Sequence, residues 1–96
     1  MRIFEKDNLI QFVVRFYTFG GTLINVDTGT IAKITIKNST GNVIVDNANL
    51  SSISTGKYGY RWTTATADKY RVEISGTVQA RTMLMREVFL VEETEI

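Results

Sequence analysis

The groups that could do chemistry in this 96-residue chain are hydroxyls, carboxylates and aromatic rings. Serine and threonine are plentiful, but the chain has neither histidine nor cysteine. No Ser–His or Cys–His nucleophile can therefore be assembled, and the commonest zinc ligands are missing. A Ser–Lys arrangement stays open by composition, although no motif marks one. Asp27, Asp46, Asn47, Asn49 and Asp68 carry the hard oxygens that calcium takes. They lack the dense Asp-x-Asp-x-Asp-Gly spacing of a calcium loop, and each lies where a turn is expected, a place that Asp and Asn fill for backbone reasons. Gly20-Gly21 has neither the spacing nor the strand–helix setting of a phosphate loop. The chain is read as non-enzymatic, with no catalytic residue, no cofactor and no metal.

Tyr58, Tyr60 and Trp62 recur at every second position. Such a row can form a stacking platform for a sugar or a single-stranded nucleic acid. It is also what the inward face of a strand looks like, and the second reading suits the neighbouring alternation of Tyr70, Val72 and Ile74.

The elements that hold these residues are strands. Apolar residues make up 44% of the chain, too many for a disordered one, and 96 residues suffice for one domain only. A period of two dominates. Strands are expected over Asn8–Tyr17 (Ile10, Phe12, Val14 and Phe16 inward), Thr30–Lys37 (Ala32, Ile34, Ile36), Lys57–Thr63, Lys69–Ser75 and Ala80–Val91. Shorter pieces are expected at Leu23–Val26, at Val43–Val45 and around Leu50 and Ile53. Asp46–Asn49 reads as a turn, and Gly76-Thr77 as a bulge or bend. With no proline, the turns rest on Gly, Asn, Asp, Ser and Thr. About seven short strands with one apolar face each describe two packed antiparallel sheets. One domain over 1–96 is expected, with its core over about 8–91 and a short acidic tail over 92–96.

Eleven basic and ten acidic residues leave a net charge of +1, and the basic ones are scattered singly. No specific nucleic-acid partner is expected, and no membrane, since no apolar run approaches ~18 residues. Glu5 and Asp7 interrupt the stretch a secretory signal would need. If Met1 is the native start, the chain is expected to stay inside the cell that makes it, or to leave by a route other than ordinary secretion.

One stretch is more specific. Gly41-Asn42, then Val43 to Val45, then Thr55-Gly56-Lys57-Tyr58-Gly59-Tyr60-Arg61-Trp62 and Tyr70-Arg71-Val72 resemble the immunoglobulin-like modules of tailed-virus structural proteins and prokaryotic surface proteins. Val88-Phe89-Leu90-Val91 resembles their closing strand. The resemblance spans about residues 8–91 and implies an immunoglobulin-like antiparallel β-sandwich. Phe12, Ile34, Tyr58, Tyr60, Trp62, Tyr70, Val72 and Phe89 would form its core, with Tyr70 as a tyrosine corner.

The terminal strands carry apolar residues on both faces. If Met83, Met85, Phe89 and Val91 point inward, Leu84, Val88 and Leu90 point out. Leu9, Val13 and Tyr17 form the matching surplus on the first strand. In immunoglobulin-like folds these two strands can lie side by side, which would join the six residues into one exposed interface. A mid-strand bulge, or coverage by Ile3 and Phe4, would remove that patch. The resulting expectation is a structural or adaptor component of a virion (head–tail connector, tail or capsid decoration), made in the host cytoplasm and acting by protein–protein contact, with homo-oligomerisation possible. The alternative is a ligand- or carbohydrate-binding or adhesion module of a prokaryotic surface protein, at the cell surface within a longer secreted chain.

Overall fold

The computed structural model describes residues 1–93. Eight strands follow in order: β1 (Arg2–Glu5), β2 (Ile10–Arg15), β3 (Lys33–Lys37), β4 (Val43–Asn49), β5 (Ser51–Ser54), β6 (Lys57–Trp62), β7 (Asp68–Val78) and β8 (Arg81–Glu92). They form a five-stranded sheet, β1-β8-β7-β3-β4, and a three-stranded sheet, β2-β6-β5. The molecule is all-β, two sheets stacked as a sandwich. Every named pairing is antiparallel except β1 with β8, which is parallel. The expected antiparallel sandwich of about seven strands is found with eight, and the parallel β1–β8 pair is its one exception.

The alternation explains the stacking. Along β2, Ile10, Phe12 and Val14 are buried while Gln11, Val13 and Arg15 are exposed. Each inward residue lies opposite an aromatic of β6, Ile10 with Trp62, Phe12 with Tyr60 and Val14 with Tyr58. On the facing sheet Ile34 pairs with Ile74 and Ile36 with Val72. Phe89 is at the centre of the core. Its ring lies 5.4 Å from Phe12, 5.6 Å from Tyr70, 5.8 Å from Phe4 and 6.0 Å from Trp62. Phe12, Ile34, Tyr58, Trp62, Tyr70, Val72 and Phe89 are buried, and Tyr60 is half-buried against them. Burying each of these large side chains contributes roughly 1.5–3 kcal/mol. The Tyr70 hydroxyl donates to the Thr66 carbonyl at 2.7 Å, which ties the loop before β7 to the core.

Several local expectations are corrected. Gly76-Thr77 is not a bend: β7 runs straight on to Val78, in unbroken register with β8. Gly76 is there because Phe16 needs its space. A Cβ at Gly76 would come within 2.6 Å of Phe16 Cζ. The reversal falls instead at Gln79-Ala80, both with positive φ (51° and 62°). That is the geometry of a two-residue hairpin turn, which glycine and asparagine adopt far more readily. Asp27 holds it, its carboxylate accepting the Gln79 N–H at 2.9 Å and the Ala80 N–H at 2.7 Å. Asp46–Asn49 is not a turn but the second half of β4. Asn47, at φ 51°, sits in a break of the β3–β4 register and donates its N–H to the Thr35 hydroxyl. β1, which no alternation announced, was missing from the expected elements.

Candidate interaction surfaces

The six residues expected to form one patch lie on two sheets. Leu9, Val13 and Tyr17 flank or lie on β2, whereas Leu84, Val88 and Leu90 lie on β8. β2 and β8 do not pair, because they belong to different sheets: β2 pairs with β6, and β8 with β7 and β1. The side-by-side placement is thereby corrected. All six reach the surface in their separate places. Leu9, Val13, Tyr17 and Leu84 are exposed and Val88 and Leu90 half-buried. Met83 and Met85, expected inside, are on the inward face of β8 opposite Gly76 and Ile74, yet both are exposed. The sandwich is open there. A small opening of ≈ 120 Å³ between β2 and β8 is lined by Val13, Val14, Met85 and Glu87 among others. Arg2 spans it, with Nε 2.6 Å from Glu87 Oε1 and Nη2 2.9 Å from Oε2.

The most exposed large apolar side chain is one that alternation could not flag. Phe19 is fully exposed (105%). Its loop is tightly closed. Tyr17 bridges Leu23, Thr18 N–H donates to the Thr22 carbonyl at 2.8 Å, and Gly21 N–H donates to the Thr18 carbonyl at 2.9 Å. Gly21 supplies the positive φ (89°) that the turn requires. The loop lies beside the β7–β8 turn. Between them is a groove of ≈ 550 Å³ walled by Tyr17, Phe19, Val78, Gln79, Arg81 and Met83. The signal in the sequence was an aromatic residue next to Gly20-Gly21, outside any strand pattern.

The outer face of the large sheet is basic. Lys37 on β3 lies directly opposite Arg71 on β7, and like charges so placed repel. Arg86 is paired with Glu73 at 2.8 Å. Asp68, at the rim, is held below the usual aspartate range by the Ser39 hydroxyl first and by the Lys69 backbone N–H next. Lys6 is raised by its hydrogen bond and charge pairing with Glu93, 3.0 Å away. Glu92 is part of β8 and its carbonyl accepts the Lys6 N–H. The acidic tail expected from residue 92 is corrected at its start, since Glu92 belongs to β8, and residues 94–96 lie outside the described residues.

The oxygen donors are spread over the molecule. Asp27 caps the hairpin turn, Asn49 binds the Lys33 ammonium, and Asp68 bonds the Lys69 and Ser39 N–H groups. Among the described residues no three acidic side chains converge into a metal-binding group. Register brings two Ser–Lys pairs side by side, Lys33 with Ser75 and Lys57 with Ser54. Lysine becomes a base when it is desolvated, whereas the Lys33 ammonium is hydrogen-bonded to Asn49 and Ser54 is exposed. The aromatic row cannot serve as a platform. Tyr58 and Trp62 are buried, and the Tyr58 hydroxyl accepts the Val26 N–H. Compared with family models, curated proteins and solved structures, the chain matches none.

Proposed function

We propose that this domain is a non-enzymatic structural or adaptor module of a tailed-virus particle, made in the host cytoplasm, that docks on other proteins through the end bearing Phe19. The observation that carries this reading is the full exposure of Phe19 on a hydrogen-bonded loop. A loop already ordered loses little conformational freedom on docking. Burying one phenyl ring contributes roughly 1.5–3 kcal/mol, and Tyr17, Leu23 and Met83 extend the apolar area beside it.

The virion setting rests on the resemblance alone, and the strand order supports only the immunoglobulin-like fold that the resemblance implies. In an immunoglobulin sandwich one sheet holds B, E and D and the other C, F and G. Here β2-β6-β5 and β3-β7-β8 occupy those places, with β4 beyond β3 as in the variable type. Tyr70 then stands near the start of the F-equivalent strand with its hydroxyl bonded to backbone upstream, as a tyrosine corner requires.

The test is incorporation. Particles purified by density gradient from cells expressing the wild-type chain are expected to contain it. Phe19→Ser should leave the fold intact, by circular dichroism and melting, and remove the chain from the particles. Normal incorporation of the folded variant would refute the docking role. A gene neighbourhood free of capsid and tail genes would refute the setting.

A further inference from the structure

The free edge of β8 carries a second contact, and its residues specify the partner. On one flank β8 pairs with β7 without interruption, from Arg81 opposite Val78 to Val91 opposite Asp68. On the other flank β1 covers only Phe89 to Glu92. Among the described residues nothing pairs with that flank from Arg81 to Val88. Of the four outer strands, β1 is four residues long and β2 is a regular six-residue edge, while β4 and β5 are blunted. Both have register breaks, β4 has Asn47 in the left-handed region, and β5 is four residues long. Such features keep sheet edges from joining. The open stretch of β8 is in unbroken register with β7, lacks proline and glycine, and exposes Met83, Leu84 and Met85 in a row.

We infer that a second copy of this chain pairs its own β8 antiparallel with this edge, across a two-fold axis at Leu84. The two five-stranded sheets would merge into one of ten strands. In this register Leu84 faces its own symmetry mate, Met83 faces Met85, Thr82 faces Arg86 and Arg81 faces Glu87. Apolar side chains meet, and Arg81 meets the Glu87 carboxylate that Arg2 of the same copy also holds, pairings of the kind that stabilise neighbouring strands. Centring the axis on Met85 instead would set Met83 against Glu87 and Leu84 against Arg86, and would drive the partner's Arg81 onto Phe89, where β1 already sits. Centring it on Met83 would leave Arg81 against Met85. The Leu84 register also ends where it must. Val88 would face Ala80, which belongs to the hairpin turn, and β1 begins at the next position. Backbone hydrogen bonds along an open edge supply affinity in this mode of association, and the interface is isologous. Met83 and Met85, exposed beside the sandwich opening, would be covered by the partner's pair.

This inference rests on the reading of the domain as a contact module and names one partner for it, at an edge that adjoins the Phe19 groove through Arg81 and Met83. The chain has no cysteine, so a single introduced thiol reports its own symmetry mate. Opposed residues in an antiparallel pair have Cα atoms about 4.5–5.5 Å apart, within disulfide reach. Oxidised Leu84→Cys is therefore expected to give a covalent dimer. Val88→Cys, displaced from its mate by about eight residues or roughly 27 Å, is expected to remain uncrosslinked. Sedimentation over a concentration series should show a monomer–dimer equilibrium for the wild type, weakened roughly tenfold by Arg81→Glu, which turns two attractive pairs into repulsive ones. A strict monomer, or equal crosslinking of the two cysteine variants, would overturn the inference. Self-association lost with Phe19→Ser but kept with Arg81→Glu would overturn it too, while leaving the contact-module reading in place.

Discussion

Replacing Gly76 by alanine sets two effects of known sign against each other. Glycine within a strand is less stable than alanine by about 0.5–1 kcal/mol, because it loses more freedom on folding. At an open position the substitution would therefore stabilise the domain. Gly76 is not open. Its added Cβ would lie 2.6 Å from Phe16 Cζ, 2.8 Å from Phe16 Cε1 and 3.2 Å from Val26 Cγ1. The Phe16 ring is buried and packs 5.7 Å from Tyr58, so it moves only by disturbing a second ring. Overpacking of this kind costs about 1–3 kcal/mol. The expected net effect is a loss of about 1 kcal/mol at the middle of these ranges, equivalent to a fall in Tm of roughly 4–8 °C for each kcal/mol in a domain of this size. Urea unfolding followed by the fluorescence of the single tryptophan, Trp62, which packs on Tyr70 and Phe89, measures it directly. A cycle with Phe16→Leu adds a sharper test. Trimming the ring should relieve the clash, so the double variant should be more stable than the sum of the single losses by at least about 0.5 kcal/mol. A stabilised Gly76→Ala, or strict additivity in the cycle, would show that Gly76 serves no packing purpose.

Trp62→Ala should cost about 3–5 kcal/mol, enough to unfold most of a domain this small; near-wild-type melting by circular dichroism would place the indole outside the core. Ala80→Gly should raise stability by about 1 kcal/mol, since it relieves a left-handed backbone that alanine adopts at a cost of about 1–2 kcal/mol. Chemical denaturation checks it, and a destabilised variant would contradict the turn geometry. Asp68, whose pKa is lowered in the fold, contributes stability that is fully present above the ordinary aspartate value near ~3.9 and is lost as pH falls through its lowered value. Melting temperatures taken between about pH 5 and about pH 2 should therefore fall less steeply for Asp68→Asn than for wild type, and parallel profiles would remove the role of the Ser39 and Lys69 hydrogen bonds.

Much of the fold was legible because burial follows period-two patterning. The inward sets Ile10-Phe12-Val14, Ile34-Ile36 and Tyr70-Val72-Ile74 were readable as one face each, since successive side chains of a strand alternate between core and solvent. The lack of His and Cys was equally direct, because composition is independent of folding. Phe19 was harder. A loop residue has no alternation to betray whether it packs or protrudes, and only the closed hydrogen-bonding of 18–22 makes its exposure a stable feature.

Which strands meet is a different kind of fact. β1 is four residues long, with Phe4 as its one half-buried side chain, and it is a strand because the end of β8 offers it a flank. The placing of the β7–β8 turn at Gln79-Ala80 depends on Asp27, 52 residues earlier, and the need for glycine at 76 depends on the ring of Phe16, just past the end of β2. Local patterning reports how a segment divides its two faces. Edge pairing, turn position and close backbone approach are decided by partners far away in the chain, and these exist only once the sheets have stacked.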